Sequence, residues 1–271
     1  MIQEKNVIMN GRDVFYLLKQ SSQPKATIVF IHGFPFSSEM WRNQLEILPE
    51  EIEGFAFDIR GFGRSKTNHP FFSIDLFARD LFDFLDAVKV DKALLCGLSM
   101  GGYITLRAAQ INKERIAGII LCDTNSVADS DESKLKRFSS IDLVAGGNKR
   151  DFALGFLKNI FCESTFENNP DAIQLIENII LNTSESTICA AQLALASRTD
   201  TSSVLQSLNI PALIIRGEQD KIMTPEQAKQ LHSSLKESEL LIVPHAGHMS
   251  NLENPSVFNT ALLDFLSKHF Q

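Results

Sequence analysis

Apolar positions along this chain follow two rhythms, and the switch between them predicts its elements. Unbroken aliphatic runs stand at Ala26 to Ile31, Ile52 to Phe57, Ala93 to Cys96, Ile116 to Cys122, Ile210 to Ile215 and Leu240 to Val243. A run without polar alternation suits a strand covered on both faces of a sheet. Between such runs the spacing becomes helical: Ile74, Phe77, Leu81, Phe84, Leu85 and Val88 share one face of a helix over Ser73 to Val88. At the start, Val7-Ile8-Met9 and Val14 to Leu18 flank Asn10-Gly11, a two-residue hairpin signal. Strands alternating with helices from Ile28 to Cys122 predict an α/β chain with a mostly parallel sheet and right-handed crossovers.

The alternation stops between about Ser126 and Leu208. Helical spacing there covers Ser133 to Val144, Lys149 to Phe161, Asp171 to Leu181 and Ser184 to Arg198. The strand rhythm then resumes, and a last helix runs from about Pro255 to Phe270, with Thr224 placed to cap another that starts at Pro225. The expected organisation is a core of residues 1–125 and 209–271, with residues 126–208 forming a helical cap, or lid, over the strand ends.

Ligands of open parallel sheets bind beyond the carboxyl ends of the strands, so those ends matter most. The run at Leu94 leads into Gly97-Leu98-Ser99-Met100-Gly101-Gly102, a serine between glycines at a strand-to-helix turn. Such a turn packs backbone on backbone and aims the N-terminus of the next helix at the serine. A serine hydroxyl needs a base to take its proton, and the base needs a carboxylate to fix its tautomer. In chain order the candidates are Ser99, Asp220 and His248, each just past a predicted strand. Asp123 is a rival acid, and His245 a rival base. The N–H groups of Phe34 and Met100 are the candidate oxyanion hole. Phe36, Trp41 and Met249 are candidate pocket residues that suit the core equally well.

His32 reads as a loop-bracing histidine, and Asp58 and Arg60 as residues of an ion pair or backbone brace. The Gly-rich stretch Arg60 to Ser65 lacks both dinucleotide and phosphate-loop patterns. Histidines and cysteines show no metal-ligand spacing, so neither metal nor cofactor is expected.

Bulk properties narrow the partners. A net charge of −7 over 271 residues gives no basic footprint for nucleic acid or an anionic membrane. Four scattered cysteines suit reduced thiols, and no apolar run approaches the roughly 18 to 20 residues of a membrane span. No leader-like pattern opens at Met1, and the expectation is a cytoplasmic protein.

Taken together, His32-Gly33-Phe34-Pro35, Asp58-x-Arg60-Gly61-x-Gly63-x-Ser65, the stretch around Ser99, Gly217-Glu218-Gln219-Asp220 and Gly247-His248 resemble the α/β-hydrolase superfamily over nearly the whole chain. That resemblance implies an eight-stranded sheet and a serine hydrolase triad. His32 to Pro35 with Met40-Trp41 is similar to cofactor-free haloperoxidase-like carboxylesterases. Gly97 to Gly102, Leu121-Cys122-Asp123-Thr124, Ala145-Gly146-Gly147 and Ala194 to Asp200 look more like 3-oxoadipate enol-lactonases. The implied activity is hydrolysis of a small-molecule ester or lactone. C–C bond hydrolysis by the same triad and ligand sensing on a hydrolase scaffold are the alternatives.

Overall fold

The computed structural model describes residues 1–67 and 69–270. Eight strands form one sheet: β1 (Ile2–Met9), β2 (Arg12–Lys19), β3 (Ala26–Ile31), β4 (Ile52–Phe57), β5 (Ala93–Leu98), β6 (Ile116–Cys122), β7 (Ala212–Gly217) and β8 (Ser238–Val243). Their order is β1-β2-β4-β3-β5-β6-β7-β8. β2 runs against both of its neighbours, and every other pairing is parallel. This is the mostly parallel α/β sheet that the rhythm predicts.

Local chemistry explains the elements. Asn10 and Gly11 both adopt positive φ, 50° and 74°, and close the β1–β2 hairpin with Met9 opposite Arg12. Two successive positive φ values match the right-handed twist of the paired strands. β5 is buried at every position, as a central parallel strand covered on both faces should be. Ser73 caps the helix Ile74–Ala87 by accepting from the Leu76 N–H at 3.0 Å. Thr224 and Gln227 form a reciprocal capping box at the start of Pro225–Ser234.

Between β6 and β7 the described chain is helical: Asp131–Ala145, Lys149–Ile160, Thr165–Asn168, Pro170–Asn182, Glu185–Ala196 and Ser202–Leu205. The two short helices escape a reading based on periodicity, because four residues make barely one turn. Gln110 and Lys113, near the end of Met100–Asn112, reach Ser203 and Ser207 at the end of this segment. Among the described residues no helix is long and apolar enough to cross a membrane.

A buried ion cluster ties β2 and the loop after β4 to the helix Ile74–Ala87. Asp80 accepts from Arg12 Nη2 at 2.9 Å, Arg60 Nε at 2.6 Å and Arg60 Nη2 at 2.5 Å. All three side chains are nearly inaccessible. Two guanidiniums sharing one carboxylate out of water are tolerable only while that carboxylate is present. Asp80→Ala should therefore lower unfolding free energy by about 3–5 kcal/mol. Urea denaturation with an unchanged m-value would show it, and a loss below about 1 kcal/mol would contradict this role.

Candidate active site

Ser99 sits between the last residue of β5 and the first of the helix Met100–Asn112, with φ 53° and ψ −112°. Its N–H donates to Cys122 O at 2.9 Å, and its own carbonyl accepts from the Thr124 hydroxyl at 2.8 Å. A side chain at Gly97 would put a carbon 2.3 Å from Gly101 O, and one at Gly101 a carbon 2.1 Å from Ile31 O. The helix start is thus pressed against the end of β3. That contact brings Met100 beside the His32-Gly33-Phe34-Pro35 loop, whose Phe34–Pro35 peptide is cis. The Met100 N–H, at the first helical position, has no partner four residues earlier within the helix.

His32 and Asp58 fix the neighbouring loops. His32 Nδ1–H donates to Gly33 O at 2.8 Å, while its Nε2 accepts the Ile59 N–H at 3.0 Å. Burial draws this imidazole down to about 4, so it stays neutral in its accepting tautomer. Asp58 accepts the N–H groups of Ser38 and Arg64, each at 2.7 Å, bridging the loops after β3 and β4.

His248 and Asp220 meet in the interior. His248 Nδ1 lies 2.8 Å from Asp220 Oδ2, with both side chains essentially inaccessible. Asp220 Oδ1 accepts from the N–H groups of Ile222 at 2.7 Å and Met223 at 3.1 Å. Burial alone would raise the Asp220 pKa. The His248 charge and hydrogen bond, with the two backbone donors, reverse that and lower it. For His248 burial acts downward, and Asp220, with smaller contributions from Asp123 and Glu253, leaves the imidazole above its ordinary 6.5. His245 is exposed, so the structure pairs Asp220 with His248 rather than with this rival.

Asp123 occupies a third buried corner. It accepts Gly217 N–H at 2.7 Å and the Ser250 hydroxyl at 2.5 Å. Burial, with the nearby Asp220 charge, pushes its pKa well up. The rival acid therefore braces the end of β7 and the segment that follows β8. Because Ser250 lies two residues past His248, this bond carries the His248 loop back over the sheet toward β6. Cys122, which accepts from Ser99, is the residue before Asp123.

The sequence shows no metal spacing, yet the fold gathers Asp123, Asp220 and His248 with ligand atoms within 4.8 Å of one another. Their facing atoms are engaged in the hydrogen bonds above, so the cluster is already satisfied without a cation. Arg216, buried within β7, supports the same region. It donates to the carbonyls of Asp220, Met223 and Glu218 at 2.9, 2.8 and 3.2 Å, folding the loop that carries Asp220.

The pocket candidates separate. Trp41 is fully buried against Phe30 and Phe258, at ring distances of 5.1 and 6.1 Å, and belongs to the core. Phe34 and Phe36 instead meet residues of Lys149–Ile160: Phe156 lies 5.9 Å from Phe34 and 6.2 Å from Phe36, and Phe152 lies 6.4 Å from Phe34. Met249 is buried beside His248. Sequence reading missed Phe152 and Phe156, whose only signal was a four-residue aromatic repeat on a helix.

Comparison with known proteins gives a consistent picture. A family model described as alpha/beta hydrolase fold matches residues 26–255. The chain is 26% identical over 243 residues to 3-oxoadipate enol-lactonase 2 of Acinetobacter baylyi, covering 90% of this chain and 88% of that protein. A thermophilic esterase from Thermogutta terrifontis superposes with a TM-score of 0.91 at 30% identity, covering 99% of this chain and 100% of that one. The enol-lactonase from Burkholderia xenovorans shares the fold, with a TM-score of 0.88 at 24% identity over 97% of this chain and 100% of its own.

The His32 environment yields a direct test. Its imidazole carbon signals should titrate near pH 4 in the folded protein; a midpoint near the ordinary value of about 6.5 would contradict the buried, neutral bracing role.

Proposed function

The chain belongs to the alpha/beta hydrolase fold family, and from that premise we propose that it is a serine hydrolase cleaving a small carboxylic ester or lactone. The observation that carries this reading is the buried His248–Asp220 hydrogen bond at the same sheet edge as the strained Ser99 turn.

In this reading Ser99 Oγ attacks the carbonyl carbon while His248 Nε2 takes its proton. Asp220, ionised and held by two backbone donors, keeps the Nδ1 proton in place and steadies the imidazolium. The N–H groups of Phe34 and Met100 receive the developing oxyanion. Collapse of the tetrahedral species returns the proton from His248 to the leaving alkoxide and leaves an acyl group on Ser99. Water, activated by the same histidine, then releases the acid. In a lactone the leaving oxygen remains tethered to the acyl chain, so one product results.

The segment 126–208 acts as the cap in this proposal. Phe152 and Phe156 lie across Phe34 and Phe36, and this aromatic wall favours a compact apolar group beside the reacting carbonyl. The likeness to the Acinetobacter enol-lactonase supports including lactones in the substrate class.

Purified protein should be labelled at Ser99 by a fluorophosphonate. Its hydrolysis of p-nitrophenyl acetate should fall on the order of 10⁴-fold or more in Ser99→Ala. Equal background rates in the two proteins would favour ligand binding without turnover.

The base must be neutral to act, and its pKa lies above the ordinary imidazole value. Activity should therefore fall as pH drops, along an acid limb with an apparent pKa above about 6.5. A limb below that value would contradict His248 as the base.

A further inference from the structure

Glu253 ends the short helix Ser250–Glu253 and is only partly buried, yet both of its carboxylate oxygens are engaged on opposite sides. Oε1 accepts the N–H of Gly247 at 2.8 Å and that of Met249 at 3.2 Å, the two residues flanking His248. Oε2 accepts the Cys162 N–H and the Thr165 hydroxyl, each at 2.7 Å. The His248 N–H itself donates to Ile160 O at 2.7 Å. A side chain at Gly247 would place a carbon 2.8 Å from Ile160 O and 2.9 Å from Cys162 N, so this contact requires glycine.

Ile160 and Cys162 lie at the end of the helix Lys149–Ile160, which also carries Phe152 and Phe156 to Phe34 and Phe36. We propose that Glu253 is a positioning residue for His248, coupling the base to the docking of the helical segment that roofs the pocket. One carboxylate joins two backbone donors beside the imidazole to two donors of the roof. A shift of the roof is thereby transmitted to the His248 ring. Hydrogen bonds to an ionised carboxylate are roughly twice as strong as neutral ones, which makes the link stiff. Misplacing a reacting group by about 1 Å costs on the order of 10² in rate, so a loosened loop has a large effect on turnover.

The titratable groups facing His248 are Asp220 from the loop after β7, Asp123 from the loop after β6, and Glu253 from the short helix Ser250–Glu253. The end of Lys149–Ile160 presents a neutral carbonyl. Neutralising Glu253 therefore removes an acidic neighbour that raises the His248 pKa and moves the histidine toward lower pKa.

The inference rests on His248 being the general base, and its test has an arm independent of turnover. Glu253→Gln keeps the shape, removes the charge and turns an N–H donor pair toward donors. Thr165→Val deletes the roof-side bond to Glu253 Oε2, along with the 3.0 Å contact of the same hydroxyl to Cys162 Sγ. With p-nitrophenyl acetate, Glu253→Gln should lower kcat about 10- to 100-fold with KM changed less than about threefold. Thr165→Val should lower kcat several-fold in the same pattern. In parallel, the His248 imidazole signal should titrate at lower pH in Glu253→Gln than in the wild type, and Glu253→Asp should restore much of that shift. Folded Glu253→Gln with unchanged kcat and unchanged His248 titration would overturn the proposal. Should Glu253→Gln fail to fold, Thr165→Val decides: an unaltered kcat in it would equally overturn the coupling. Absence of Ser99-dependent turnover in the wild type would sink the hydrolase reading, while the His248 titration would still report on Glu253.

Discussion

Backbone approaches backbone around Ser99 more closely than any side chain permits, and the candidate site depends on that approach. Gly97 lies under the first turn of the helix Met100–Asn112, and Gly101 lies against the carbonyl that ends β3. With both places bare, the helix can leave the strand at a sharp angle, and Ser99 is held at positive φ by bonds from its neighbours. A residue in that conformation is costly, on the order of 1–3 kcal/mol, and survives only where packing over-determines it. Here two strands, a helix and the Thr124 hydroxyl all meet at one residue.

The other candidate residues come from far along the chain. The chain leaves β6, builds its helices, completes β7 and β8, and brings Ser250, two residues past His248, back across β7 to Asp123. Asp123 marks the closure: it takes a proton donor from the end of β7 and another from the turn after His248. Arg216 does comparable work from inside β7 by gathering three carbonyls of the Asp220 loop. A buried arginine satisfied by carbonyls holds a loop without neutralising the acid that the loop carries.

Much of this was legible because strands and turns announce themselves locally. The apolar runs marked all the parallel strands, Asn10-Gly11 marked the hairpin, and the positions just past strand ends offered Ser99, Asp220 and His248 as candidates, of which the last two are hydrogen-bonded to each other. What stayed illegible depends on contacts between distant residues. Ser250 and Glu253 look like ordinary polar residues, and Asp123 reads from the sequence as a rival acid, its bracing bonds to Gly217 and Ser250 being set by the fold. Trp41 has the composition of a pocket residue but faces Phe30 and Phe258, a partnership no local pattern specifies. Phe152 and Phe156 fit any amphipathic helix until the fold sets them against Phe34.

The helical segment leaves and re-enters the sheet at nearly one place. β6 and β7 are adjacent, and near its two ends the Ser126 carbonyl accepts from both the N–H and the hydroxyl of Thr201. Everything between is, for the sheet, a single long loop whose mouth is already closed. The entropy of closing such a loop grows only with the logarithm of its length, each doubling costing about 0.6 kcal/mol. Lengthening or replacing the helices between Ser126 and Thr201 therefore weighs little on β6–β7 pairing. Evolution can rebuild this helical segment by insertion and deletion while the strands that flank it keep their register.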